Sequence, residues 1–162
     1  MQDMGIPSKN VPASMAIAQA VQTLATLFLL AWFLGKPGFK WTLVTGAACW
    51  SVMYMIYIAT KPRWLIIISQ SLHGLAYVLF IIGGLIFAEV VAPEGVRSSM
   101  QSLVFAATTG IGMFLGTQLA SITMDRFRKE EKFYWRSIFL VPCVIMTACV
   151  LAFILFFTVP KG

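Results

Sequence analysis

The run Trp64 to Ala88, WLIIISQSLHGLAYVLFIIGGLIFA, decides the fold because it is long, apolar and free of charged side chains. A helix needs about 20 such residues to cross a hydrocarbon core roughly 30 Å thick. The chain contains five such apolar runs, this one included. They cover Val11 to Gly35, Trp41 to Thr60, Trp64 to Ala88, Ser98 to Met124 and Ser137 to Pro160. The sequence therefore predicts an all-α, polytopic membrane helix bundle, with five transmembrane helices in one domain over residues 1–162.

The overall composition points the same way. Of the 162 residues, 59% are hydrophobic and 11% are charged, and the mean hydropathy is +0.85. A soluble domain carries about 25% charged residues. So large an apolar surface excludes an ordinary water-soluble globule, whereas lipid accommodates it without cost. A chain of this length is also short for a complete polytopic transporter, so we expect further chain.

The net charge of +6 does not indicate a nucleic-acid partner. The basic residues stand in short segments between the apolar runs, where side chains meet lipid headgroups. Taken alone, these residues give an orientation by the positive-inside rule, which places the richer side in the cytoplasm. Eight lie on the side of the N-terminus (Lys9, Lys61, Arg63, Arg126, Arg128, Lys129, Lys132, Arg136) and four on the other (Lys36, Lys40, Arg97, Lys161). The count therefore favours a cytoplasmic N-terminus.

Neutral polar side chains are the candidate functional groups, because no Asp, Glu, Lys or Arg lies in the middle of any run. Gln19 and Gln22 are three residues apart and so project from one helical face. Gln70 and His73 repeat this spacing in the third run, with Tyr77 one turn further along. Amides and imidazoles offer donors and acceptors to a polar solute, and an imidazole titrates near neutral pH. We predict that Gln19, Gln22, His73 and Tyr77 bind a solute; the alternative is hydrogen bonding to neighbouring helices.

Three glycines in the fourth run form a stripe of small residues. Gly112, Gly116 and Ala120 follow one another at intervals of four residues, and Gly110 stands two residues before Gly112. Small residues at this spacing let another helix approach closely. We therefore predict that Gly110, Gly112 and Gly116 serve helix packing.

The sequence contains no residue pattern that is typical of an enzyme active site. The sequence offers no nucleophile beside a base, no paired carboxylates, no metal-ligand spacing of His or Cys and no glycine-rich phosphate loop. Cys49, Cys143 and Cys149 stand inside apolar runs, where small core residues are expected. We expect no enzyme, no cofactor and no bound metal.

The loop segments resemble a known family. The stretch Ala92 to Leu103, APEGVRSSMQSL, resembles the loop between the tenth and eleventh helices of the nucleoside:proton symporter branch of the major facilitator superfamily. The glycines from Gly110 to Gly116 and the segment Trp135 to Phe139 resemble the helices that follow this loop, and Leu72-His73-Gly74 resembles the tenth helix. The resemblance implies that the five runs are helices eight to twelve of a twelve-helix carrier whose N-terminal half is missing here.

That family implies a function as well as a fold. The chain would be a fragment of a secondary active transporter in the bacterial inner membrane, moving a nucleoside or nucleoside-like polar solute by alternating access. Its partners would be the solute, the lipid bilayer and the missing half of the carrier. Family members keep the C-terminus in the cytoplasm, which contradicts the basic-residue count. We adopt the family orientation; cysteine labelling at Lys129 tests it, because a cytoplasmic position there would contradict it.

Two positions depart from the family pattern. On the eighth helix the family has a Gln and then a Glu three residues later, and here Gln19 is followed by Gln22. On the tenth helix the family has an aromatic residue and then an Asp, and here Tyr77 is followed by Val78. Three interpretations stay open: a carrier of another neutral solute, proton coupling through His73 or the missing half, and facilitated transport without coupling.

A self-sufficient membrane scaffold is the alternative function. Such a protein would assemble through the Gly112 and Gly116 face, and its polar residues would serve helix packing. The DNA upstream of Met1 discriminates between the two hypotheses. An in-frame continuation with about seven more apolar runs would favour the carrier, and a ribosome-binding site directly before Met1 would favour the scaffold.

Overall fold

The structure, a computed structural model, describes residues 11–59, 62–129 and 132–159. Within these residues lie five helices that are long and apolar enough to cross a membrane, so the predicted membrane helix bundle is confirmed. They are α1 (Val11–Gly35), α2 (Gly38–Ala59), α3 (Trp64–Val91), α4 (Arg97–Arg126) and α5 (Trp135–Phe156).

Short polar turns connect the helices. Gly38 and Gly95, at the start of α2 and before α4, have φ angles of 79° and 89°, which residues with a Cβ rarely adopt. Between α4 and α5 the chain forms a small antiparallel hairpin of β1 (Arg128–Lys129) and β2 (Lys132–Phe133). The turns before α2 and before α4 are therefore tight, and successive spanning helices run in alternating directions.

Helix α2 is the centre of the described bundle, since it packs along α5 on one side and α3 on the other, while α1 packs on α3. Hydrogen bonds tie both ends of α2 to α5. Lys40 Nζ donates to the carbonyl oxygen of Ile154 at 2.8 Å, and Arg136 Nε donates to that of Ile58 at 3.1 Å. The two cations thus satisfy carbonyls near the helix ends, at opposite boundaries of the membrane.

Three of the helices contain a π-helical turn. These turns cover Ala25–Leu29 in α1, Tyr77–Ile82 in α3 and Ala107–Gly112 in α4. A π-helical turn holds more residues than an α-helical one, so it re-aims the side chains that follow it, and such turns are frequent at functional sites. In α1 and α3 the turn begins within a few residues of the predicted binding residues Gln22 and Tyr77.

Helix α4 is much less covered than the others. None of its most apolar 18-residue window is buried inside the described bundle, against 44% for α2. It contacts α3 near its N-terminal end and α5 at few positions. Its side chains Ile111, Phe114 and Ile122 are all more than 60% exposed. In the described structure, α4 therefore presents a long apolar surface to lipid or to another helix.

Candidate functional site

Helices α1 and α3 approach each other backbone to backbone near their centres. Gly74 is buried, and a Cβ built on it would fall on the carbonyl oxygen of Ala18 and lie 3.1 Å from the backbone nitrogen of Gln22. Because His73 precedes Gly74, this contact places Gln22 of α1 and His73 of α3 at the same level of the bundle. Two of the predicted binding residues therefore lie at the same level of one helix pair.

The other two predicted binding residues lie one helical turn away from this level, on either side of it. Gln19 is exposed and lies one turn before the half-buried Gln22; Tyr77 is half-buried and lies one turn after His73. Since α1 and α3 run in the same direction, Gln19 and Tyr77 stand on opposite sides of the contact. At 1.5 Å rise per residue the four side chains cover about 10 Å along the axis. They form the candidate site, which consists of Gln19, Gln22, His73 and Tyr77.

His73 has a partner that the sequence analysis did not identify. The indole Nε1 of Trp50 in α2 donates a hydrogen bond to His73 Nδ1 at 3.2 Å, and the two ring centroids are 6.2 Å apart. One signal was present in the sequence: Trp50 is in the middle of its apolar run, while the other tryptophans are near the ends of theirs. A tryptophan far from the membrane interface has no headgroup partner, so its N–H needs another acceptor.

Gln70 lies one turn before His73 on α3 and, like His73, hydrogen-bonds a residue of α2. It is buried against α2, where its Nε2 donates to the hydroxyl oxygen of Tyr57. Tyr57 itself packs edge-to-face on Phe139 of α5, with ring centroids 5.0 Å apart. Gln70 therefore joins α3 to the packed interface of α2 and α5, and its role in the described structure is structural.

A double-mutant cycle tests this structural role. Gln70→Leu leaves the buried Tyr57 hydroxyl without its donor, and Tyr57→Phe leaves the Gln70 amide without its acceptor, so each should lower the thermal unfolding midpoint. The double variant should lose less free energy of unfolding than the two single variants together. The difference, the coupling energy, should be about 1 kcal/mol, within the range found for polar pairs in membranes. Additive single effects, measured on purified protein in detergent, would contradict the assignment.

The predicted packing glycines lie on the open surface of α4. A Cβ on Gly110 or Gly116 would meet nothing within 4 Å, and one on Gly112 would meet the carbonyl oxygen of Ala107 in its own helix at 3.7 Å. Within the described residues no neighbouring helix touches these three positions, but Gly116 lines an apolar cavity together with Tyr54 of α2 and Phe139 of α5. Their role in helix packing stays a prediction.

The site is electrically neutral in the part of the chain that the structure describes. The charged residues of α1, α2 and α3 stand near helix ends, as Lys40 does in α2 and Glu89 does in α3. Glu89 accepts a hydrogen bond from Gln101 Nε2 at 2.9 Å, which joins α3 to α4 at the membrane boundary. No group of three or more His, Cys, Asp or Glu that could hold a metal ion occurs among the described residues. The arrangement is suited to hydrogen bonding a neutral solute.

Comparisons with known proteins agree on one family. The family model described as "Nucleoside H+ symporter" matches residues 2–161. Xanthosine permease from Escherichia coli K12 is 24% identical over 134 residues, which cover 80% of this chain and 32% of the permease. Nucleoside permease NupG from the same organism is 24% identical over 131 residues, covering 78% of this chain and 31% of NupG. The putative nucleoside transporter YegT, also from E. coli K12, is 24% identical over 160 residues, covering 92% of this chain and 37% of YegT.

A solved structure matches the fold. The crystal structure of nucleoside transporter NupG superposes with a TM-score of 0.80 at 23% identity, covering 88% of this chain and 36% of the NupG chain. A structure of a NupG variant superposes with a TM-score of 0.83 at 23% identity, and it covers 90% of this chain and 37% of the variant chain. The described helices therefore have the fold of the C-terminal part of NupG, a major facilitator transporter. This chain spans about a third of the length of the relatives it matches.

Proposed function

This chain belongs to the nucleoside H⁺ symporter family, and on that premise we propose that it supplies one side of the solute path of a nucleoside carrier. The observation that carries the proposal is the close contact of α1 and α3 at Gly74, which sets Gln22 and His73 at the same level near the helix centres. Secondary transporters bind their solutes near the bilayer midplane. The position of the candidate site near the helix centres supports a role in recognising the transported solute.

The chemistry of the site suits a nucleoside or nucleoside-like solute. Such a molecule is neutral and carries ribose hydroxyls together with base amide, carbonyl and ring-nitrogen groups. Gln19 and Gln22 each provide two donors and one carbonyl acceptor, and His73 and Tyr77 add an imidazole and a phenol. Tyr77 also presents an aromatic face on which a base can stack. The described residues near the site contain no charge that would favour an ionic solute instead.

The chain is an integral multi-pass membrane protein and not an enzyme, and we propose the bacterial inner membrane as its location. We further propose that the rest of the carrier covers the open side of α4, including Gly110, Gly112 and Gly116. Alternating access then arises when that partner half and this bundle rock around the bound solute. The orientation that we propose has an external N-terminus and a cytoplasmic C-terminus.

Ligand-dependent stability tests the substrate class. For the native gene product, meaning the polypeptide made from the gene with its own upstream sequence, uridine should raise the thermal unfolding midpoint in detergent. A ligand at 100 times its Kd stabilises by about 2.7 kcal/mol. Free ribose, which lacks the base, is the matched control and should give a smaller shift. Equal shifts with uridine and ribose would contradict a nucleoside site.

The 162-residue chain alone should not transport. Its candidate site has walls from α1 and α3, and the opposing wall of a carrier comes from the partner half. Proteoliposomes holding the 162-residue chain should therefore take up no more labelled uridine than empty vesicles, while the native gene product is active. Saturable uptake by the 162-residue chain would refute this expectation.

Proton coupling needs a separate measurement, because Gln22 and Val78 stand at the two positions that carry acids in the resembling family. A proton uncoupler should abolish accumulation of uridine above the external concentration if the carrier is a symporter. In that case a group outside these two positions carries the proton. Equilibration that the uncoupler does not change would instead identify facilitated transport.

A further inference from the structure

The contact between Trp50 and His73 restricts the chemistry of the imidazole. Indole Nε1 is a donor and has no acceptor capacity. The 3.2 Å bond to His73 Nδ1 can therefore form when Nδ1 carries a lone pair and no proton. A neutral imidazole with a bare Nδ1 has its proton on Nε2. The hydrogen bond thus selects one of the two neutral tautomers.

The indole is held in place by a second contact. Trp50 packs edge-to-face against Phe80 of α3, with ring centroids 5.7 Å apart. Such aromatic contacts contribute stability beyond the area that they bury. Since Phe80 and His73 belong to the same helix, the indole is clamped between two side chains of α3 and keeps its N–H directed at Nδ1.

The surroundings of His73 provide no opposite charge for an imidazolium. Helix α1, which packs on α3 at Gly74, contributes Ala18 and Gln22 at this level. Among the described residues, the central parts of α2 and α3 contain no Asp or Glu. A second proton on the ring would also set its Nδ1–H against the indole N–H. The neutral ring is therefore the favoured form.

The second ring nitrogen is left free for a solute. His73 is exposed in the described bundle, and within the described residues Nε2 has no hydrogen-bond partner. Gln22 lies at the level of His73, because its backbone nitrogen borders Gly74 in the α1–α3 contact. An Nε2–H at this position can donate to an oxygen or ring nitrogen of a molecule that also contacts the Gln22 amide.

We propose that Trp50 is a positioning residue, which holds His73 as a fixed Nε2–H donor for an acceptor atom of the solute. His73 then recognises the solute and does not carry a coupling proton. The part that concerns the solute rests on the proposed function; the tautomer of His73 does not.

Nitrogen-15 NMR of the imidazole tests the positioning role without any transport. In the native gene product, labelled with ¹⁵N-histidine in bilayers at pH 7, the signals lost in His73→Gln belong to His73. We expect a bare Nδ1 and a protonated Nε2. Trp50→Phe keeps the contact with Phe80 but removes the donor, and should convert these signals to a mixture of tautomers. Trp64→Phe, at a 61% exposed position, should leave them unchanged.

A protonated Nδ1 in the wild type would overturn the proposal, and this result requires no variant to fold. An unchanged His73 spectrum in Trp50→Phe would overturn it as well.

Uptake kinetics test the consequence for the solute. In Trp50→Phe the uridine concentration for half-maximal uptake should rise about fivefold, the usual value of one hydrogen bond, with little change in maximal rate. Trp64→Phe should stay within twofold of wild type. An unchanged half-maximal concentration in Trp50→Phe would overturn the role in solute binding. Failure of the wild type to transport any nucleoside would instead refute the proposed function, and the NMR result would still decide the tautomer.

Discussion

Gly74→Ala is expected to destabilise the native gene product by about 3 kcal/mol, the upper end of the usual cost of overpacking. The new Cβ would fall on the carbonyl oxygen of Ala18, which belongs to a helix backbone and cannot rotate away. Helices α1 and α3 would have to separate along the contact that sets Gln22 and His73 at one level. We therefore expect a thermal unfolding midpoint lower by several degrees and a loss of most uridine uptake.

Gly84→Ala in the same helix is the matched control. Its Cβ would meet Leu43 Cδ2 at 3.8 Å, which is an ordinary contact with the end of a flexible side chain. Alanine is also intrinsically better than glycine within a helix by about 1 kcal/mol. This variant should be as stable as wild type or more stable. If Gly74→Ala is as stable as Gly84→Ala, the close contact of α1 and α3 is wrong.

The double variant Gln19→Leu/Gln22→Leu is expected to lower uridine uptake by more than tenfold. Each amide that hydrogen-bonds the solute contributes about 1 kcal/mol, so the loss of two raises the half-maximal concentration by about 30-fold. Folding should not suffer, because Gln19 is exposed, Gln22 is half-buried and leucine is a good helix former in an apolar medium. Size-exclusion chromatography in detergent measures folding, and labelled uridine uptake at low concentration measures function.

Gln101→Leu is the control for this pair. Gln101 also carries an amide in a membrane helix, but it hydrogen-bonds Glu89 and the carbonyl oxygen of Leu85, near the membrane boundary. Its loss should lower stability and leave the half-maximal uridine concentration unchanged. Wild-type uptake in the Gln19→Leu/Gln22→Leu variant would remove these amides from the solute site and favour the scaffold hypothesis, in which glutamines serve packing alone.

The helices were predictable because lipid imposes a simple rule on sequence. A spanning segment must be apolar for about 20 residues, and charges must stay near its ends. The run from Trp64 obeys both conditions and proved to be α3. What lies within the helices was less accessible. The π-helical turn at Tyr77–Ile82 has no signal in the run YVLFII, because apolar residues serve π- and α-helical turns equally.

The candidate site was predictable in type but not in pairing. Spacing put Gln70 and His73 on one helical face, and the structure directs both toward α2, where Gln70 contacts Tyr57 and His73 contacts Trp50. Which side chain of α2 each one contacts depends on tertiary packing, and one sequence does not record it. The glycine that permits the α1–α3 contact, Gly74, was noticed as part of a family motif, while its physical reason, the nearby backbone of Ala18, required coordinates.

Uptake of labelled uridine by proteoliposomes that contain the native gene product tests most directly whether this chain belongs to a working nucleoside carrier. We predict saturable uptake that unlabelled nucleosides compete with and free sugars do not, and that falls more than tenfold in the Gln19→Leu/Gln22→Leu variant. Uptake no greater than that of empty vesicles, or uptake that sugars compete with as well as nucleosides do, would contradict a nucleoside carrier.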